Sequence, residues 1–110
     1  MSTAAENKPA PPPALSGTAA RYLRGLGHAL DPVVQIGKEG VTDGVVKATC
    51  AALLTHELIK VRVLGEAPVD RREAAADLAA RAEASLAQVL GRTALLYKRH
   101  PKKPKIVLPR

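Results

Sequence analysis

Apolar positions along this chain recur with two different periods, and the switches between them mark out its elements. Leu15, Ala19, Leu23, Leu26 and Leu30 fall close to one helical stripe, with Ser16 placed to cap the first turn and Arg21 and Arg24 lying off the stripe. Gly25 and Gly27 weaken the end of this helix, and Pro32 forces an extended chain by Asp31. Val33 to Ile36 then reads as a short buried strand. A second helix is predicted from a Thr42 cap to about His56, its apolar face made by Val46, Cys50, Leu53 and Leu54. Asp43 sits in its first turn, where the helix dipole favours an acid.

From Leu58 to Leu64 the period falls to two. Ile59, Val61 and Val63 share one face, while Lys60 and Arg62 take the other. Gly65 and Pro68 mark a loop. Asp70 then caps a third, alanine-rich helix to about Ala84, with Ala74, Leu78 and Ala82 inward. Leu86 to Leu90 and Thr93 to Arg99 read as strands around a tight Gly91-Arg92 turn, in which Gly91 supplies a positive φ. Beyond Pro101 and Pro104, Ile106 to Leu108 reads as a short edge strand. The order α-β-α-β-α-β-β predicts an α+β fold, with helices packed on a small mixed sheet.

Composition narrows this further. A chain of 110 residues supports one domain. Residues 1–14 are rich in Pro and Ala and read as a disordered or polyproline-like tail, leaving the domain to residues 15–108. With no Trp and no Phe, the core must be aliphatic. The single cysteine, Cys50, excludes a disulfide framework or a Cys-based metal cluster within one chain. On the apolar face of its helix it is expected to be an inert thiol. No apolar run is long enough to span a membrane or to act as a signal peptide, so a cytoplasmic protein is expected.

Charge adds a direction. The net charge is +7, and residues 91–110 hold Arg92, Lys98, Arg99, Lys102, Lys103, Lys105 and Arg110 with no acid, whereas the ten other basic residues are balanced by ten acidic ones. Such asymmetry suits an anionic partner at the C-terminal end; the plainer reading is a solubilising basic tail.

The motif with chemical content is Gly37-Lys38-Glu39-Gly40, between the first strand and the Thr42 cap. Glycines allow a tight turn and close approach of a ligand, and a helix start offers free N–H groups and a positive dipole end. Together they suit a phosphate, and in a basic protein a nucleic-acid backbone. The alternative is a simple strand-to-helix turn. Lys38 would meet phosphate; Glu39 gains from the helix dipole but would repel one. Lys60 and Arg62 form either a cationic surface on an open sheet face or a solvated face. Arg21 and Arg24 join the site only if the first helix lies beside the loop. Tyr97 either stacks on a base or belongs to the core. With only Tyr22 and Tyr97, a sheet of stacking aromatics is excluded, so recognition must rest on backbone, shape and charge.

No catalytic constellation emerges. His28, His56 and His100 lack ligand or triad spacing, and no Gly-Lys-Ser/Thr closes the glycine loop. No enzyme and no cofactor are expected. No helix presents the Arg, Asn and Gln face that reads duplex DNA.

The stretch Leu26-Gly27-His28-Ala29-Leu30-Asp31-Pro32-Val33-Val34-Gln35-Ile36-Gly37-Lys38-Glu39-Gly40-Val41-Thr42 resembles the opening of a CRM domain, named for chloroplast RNA splicing and ribosome maturation. His56-Glu57-Leu58-Ile59-Lys60-Val61 resembles its central block, and Gly91-Arg92-Thr93-Ala94-Leu95-Leu96-Tyr97-Lys98 its closing hairpin. The likeness runs over about residues 15–108 and is to the single-domain bacterial YhbY type. It implies a fold similar to the C-terminal domain of translation initiation factor three. It also implies binding to ribosomal RNA or a large-subunit precursor, in aid of ribosome assembly. The family's Gly-x-x-Gly loop falls on Gly37 to Gly40, and its Leu-Tyr-Arg ending on Leu96, Tyr97 and Lys98. Lysine there keeps the charge but loses the planar fork. On this reading Gly37, Lys38, Glu39, Gly40, Arg21, Arg24, Lys60, Arg62, Arg92, Lys98 and Arg99 are the candidate RNA-binding residues of a monomer. The alternative is an adaptor whose basic C-terminal segment docks on an acidic protein.

Overall fold

The computed structural model describes residues 15–109. Helix α1 (Gly17–Gly27) is followed by strand β1 (Pro32–Ile36), helix α2 (Asp43–His56), strand β2 (Leu58–Val63), helix α3 (Arg71–Arg81) and the hairpin β3 (Ser85–Leu90) and β4 (Thr93–Tyr97). The expected caps are in place: Ser16 Oγ accepts from the Ala19 N–H, Thr42 Oγ1 from Val45 and the Asp70 carboxylate from Arg72. The tail assigned to residues 1–14 lies outside the described residues.

The strands form one mixed sheet in the order β1-β2-β4-β3. β1 runs parallel to β2, with Ile36 opposite Val63, and β4 pairs antiparallel with both β2 and β3. Each outer strand has one shift in register, at Pro32/Val34 in β1 and at Leu86/Gln88 in β3. Gly91 turns the hairpin at φ 58°.

Alternation in β2 decides how the sheet is covered. Ile59, Val61 and Val63 face α2 and α3, where they join Val34, Ile36, Leu53, Leu78, Leu96 and the alanines of α3 in the main core. The opposite face is covered too. There α1 sets Leu23 against Leu58, Ala87, Leu95 and Tyr97, with Ile106 and Leu108 of the C-terminal segment beside them. The sheet face carrying Lys60 and Arg62 is therefore only partly open.

Several expectations are corrected. Val33 is 54% exposed, because β1 lies at the sheet edge and alternates rather than being buried on both faces. Leu54 is 55% exposed. Once Leu53 points inward, the residue one turn back on the buried face is Thr49, whose hydroxyl donates to the Val45 carbonyl at 2.8 Å. Leu26 likewise faces out while Gly27 is buried. α1 comes so near the sheet that a Cβ at Gly27 would lie 2.5 Å from Leu95 Cδ1. That glycine allows packing rather than merely weakening a helix. α3 ends at Arg81, short of Ala84; Glu83 turns left-handed (φ 58°) and the Ala84 N–H returns to the Ala79 carbonyl at 2.8 Å. β4 stops at Tyr97 rather than Arg99. Ile106 to Leu108 form no strand.

The two α1 glycines should respond oppositely to alanine. Nothing lies within 4 Å of a Cβ at Gly25, so Gly25→Ala should stabilise by about 0.5–1 kcal/mol. Gly27→Ala should cost about 1–3 kcal/mol by overpacking. Urea unfolding midpoints read both, and shifts of the same sign would contradict this packing.

Candidate nucleic-acid interface

At the end of β1 the chain makes a turn closed by the Gly40 N–H on the Gly37 carbonyl, 2.9 Å away. Lys38 and Glu39 occupy its two exposed corners. Gly40 has φ 77° and is buried, with space for a Cβ only 3.4 Å from Pro68 Cγ. Its backbone angle calls for glycine, while a Cβ there would meet Pro68 at ordinary van der Waals distance. The Thr42 N–H then donates to the Gly40 carbonyl at 3.1 Å, and α2 begins. The loop thus delivers Lys38 next to a helix N-terminus.

Asp43, the acid in that first turn, does not stand alone. Arg81, from the last turn of α3, donates to its Oδ1 at 2.8 Å and to the Val41 carbonyl at 2.6 Å. One guanidinium braces the loop exit and offsets the acid that would oppose an anion there.

The loop leans on the segment after β2. The Leu64 N–H donates to the Ile36 carbonyl at 2.8 Å, and a Cβ at Gly37 would lie 3.8 Å from Leu64 Cδ1. The Val63 N–H donates to the Arg92 carbonyl at 2.7 Å, tying the hairpin turn to the same end. Arg62, opposite Gln35 and Thr93, is exposed nearby. The structure therefore gathers Gly37, Lys38, Glu39, Gly40, Arg62 and Arg92 at one end of the sheet.

The other candidates lie elsewhere. Arg21 and Arg24 are on α1, whose Leu23 sits over Leu58, Ala87, Leu95 and Tyr97, toward the half of the sheet away from the loop. The condition for including them is not met. Lys60 is half-buried in an apolar cleft with Leu26, Leu30, Asp31 and Val33. Lys98 Nζ donates to the Ala82 carbonyl at 3.2 Å and lies 4.0 Å from Glu83, so its charge closes the end of α3. Tyr97 is 6% exposed and belongs to the core. Burial, with the nearby Glu57 carboxylate, pushes its hydroxyl pKa up, partly opposed by Arg99.

Arg99 starts a basic segment that is pinned rather than trailing. Glu57, 1% exposed, accepts the N–H of His100 at 2.8 Å on one oxygen and those of Lys105 and Ile106 at 2.7 and 2.8 Å on the other. His100 Nδ1 in turn accepts from the Lys102 and Lys103 N–H groups. This clamp holds Arg99, Lys102 and Lys103 exposed at the pole opposite the glycine loop. Burial pushes the Glu57 carboxyl up, but the three backbone donors outweigh it and hold it below its ordinary value. Glu57 and Arg81 are the contributors that motif reading missed. The sequence signal for Glu57 was an acid filling the one-residue gap between the α2 period and the β2 alternation; Arg81 had none, its partners lying about forty positions away. Among the described residues, no group of three His, Cys, Asp or Glu is placed to hold a metal ion, and no helix is long and apolar enough to cross a membrane.

This arrangement can be set beside known proteins. The model of the CRS1 / YhbY (CRM) domain matches residues 15–98. The chain belongs to the CRM domain family. The protein named probable RNA-binding protein YqeI in Bacillus subtilis is 39% identical over 95 residues, covering 86% of this chain and 99% of that one. A protein named simply RNA-binding protein in Haemophilus influenzae is 38% identical, over 87% and 96% of the two chains. The solution structure of a hypothetical protein from Staphylococcus aureus, described as a candidate RNA-binding protein, has a TM-score of 0.75. It is 38% identical and spans 86% of this chain and 99% of its own. The α+β fold expected from the element order is the fold of this CRM domain.

Glu57→Gln tests the clamp. An amide offers one acceptor where three N–H groups need two, and sets a donor against a donor. It should cost about 1.5–3 kcal/mol at pH 7 and speed hydrogen exchange at His100, Lys105 and Ile106. Because the folded carboxyl titrates below its unfolded value, this stability is complete above the unfolded value and is lost as pH falls through the folded one. Urea unfolding of the wild type should therefore weaken on acidification more than that of the variant.

Proposed function

We propose that this CRM domain is a non-catalytic RNA-binding protein, that it binds ribosomal RNA in large-subunit precursors, and that it assists their assembly in the cytoplasm as a monomer. The observation that carries the reading is the Gly37–Gly40 turn, which sets Lys38 beside a helix N-terminus whose own acid is paired with Arg81. Arg62 and Arg92 widen the cationic end, and relatives of similar length are named as RNA-binding proteins. With Tyr97 in the core, affinity comes from backbone, shape and charge.

Two experiments test this. In a sucrose gradient of cell lysate, the protein should travel with large-subunit particles or their precursors and leave them on ribonuclease treatment. Residence in the free fraction at low salt would overturn the assembly role, and ribonuclease-resistant capture of an acidic protein would favour the adaptor instead. In filter binding to ribosomal RNA, affinity should fall with salt, at a log–log slope of roughly −3.5 if about five phosphates of single-stranded RNA are neutralised. Lys38→Ala should weaken binding and Glu39→Lys should tighten it. Insensitivity to either change would remove the loop from the interface.

A further inference from the structure

The segment that supports the glycine loop also walls a second concavity. A cleft of about 130 Å³ is lined by Leu64, Gly65, Ala67 and Val69 together with Arg71 and Arg92. Both arginines are exposed at its mouth, and among the described residues neither forms an ion pair.

Three features separate this cleft from an ordinary charged surface. The Arg92 guanidinium lies directly on Gly65, where any Cβ would collide with it. Its backbone is also fixed, through the bond from the Val63 N–H to its carbonyl. Arg71 is the first residue of α3, at the end of the helix dipole that repels cations, so it stands where folding alone disfavours it. Among the described residues no nearby acid pairs with either arginine, Glu73 in the first turn of α3 included. Asp70 is turned back to cap α3 through the Arg72 N–H, and Glu66 is exposed on the intervening loop. Two planar forks converging on one small polar hollow match the oxygens of a phosphate.

We propose that the Arg71–Arg92 cleft binds a backbone phosphate of the same RNA, which crosses the Leu64–Pro68 segment from the glycine loop. This inference rests on the RNA-binding reading and extends it by a second contact point. The RNA path would run from Lys38 over the shared segment to the paired arginines.

The test uses the full chain and purified large-subunit ribosomal RNA in filter binding across a salt series. Arg71→Ala and Arg92→Ala should each weaken binding about tenfold at low salt. Each should also make the log–log salt slope shallower by about 0.7–0.9. Arg92→Lys should recover the slope but only part of the affinity. Gly65→Ala, which displaces the Arg92 fork without removing charge, should behave like Arg92→Lys. Arg71→Ala should leave the thermal midpoint unchanged or raise it, a result a merely structural arginine would not give. If the arginine variants bind as the wild type does while Lys38→Ala weakens binding, the cleft is excluded and the RNA reading stands. If the wild type itself fails to bind, both fall. Binding of inorganic phosphate at the cleft with RNA affinity unaffected by the arginine variants would make it a site for free anions and overturn the proposal.

Discussion

Helix α2 and strand β2 are joined through Glu57 alone, and this residue makes the reversal with a positive φ (63°, with ψ −40°). For a residue other than glycine, so sparsely populated a backbone conformation costs roughly 1–3 kcal/mol. The same residue offsets the cost with its carboxylate, which gathers three N–H groups from a segment more than forty positions later. That segment lays Ile106 and Leu108 against the sheet face that α1 covers only in part. A core without Phe or Trp has little surplus apolar area, so both faces of the sheet must be used. The buried acid thus joins the path of the backbone, the second hydrophobic layer and the placement of Arg99, Lys102 and Lys103.

Positive charge is consequently sorted rather than spread. At one pole stand Lys38, Arg62, Arg71 and Arg92, around the glycine loop and the hairpin turn, which Leu64 and Val63 tie to the end of β2. At the other, Glu57 and His100 present the C-terminal lysines. Arg81, at the first pole, and Lys98, at the second, are instead spent on internal bonds, to Asp43 and to the end of α3. Net charge alone would have treated all these side chains as equivalent.

What was legible in the sequence was what neighbours in the chain decide. Ser16, Thr42 and Asp70 cap helices by bonds spanning two or three residues, and the alternation of Ile59, Val61 and Val63 follows from the pleat. Gly91 was readable because a two-residue hairpin demands a particular φ. The glycine loop could be placed between its strand and its helix for the same local reason. Distant partners decided the rest. Thr49 displaced Leu54 because the sheet fixed how far α2 is rotated. Gly27 was buried because Leu95 lies beneath it. Arg81 and Glu57 acquired their roles from groups no local pattern connects to them. Ile106 has strand-like composition, yet a side-chain carboxylate takes the N–H that a neighbouring strand would have used.

The two irregular outer strands carry a consequence for life among other chains. β1 opens with a proline, which has no N–H to offer, and slips register beside it; β3 slips at Leu86/Gln88, while the central β2–β4 pairing is unbroken. A regular border of open backbone groups is a template on which further strands can add, and a kinked one is a poor template. The molecule therefore keeps its strictest order inside and its mismatches at the rims. That discourages copies of it from zippering together when they are crowded or newly made.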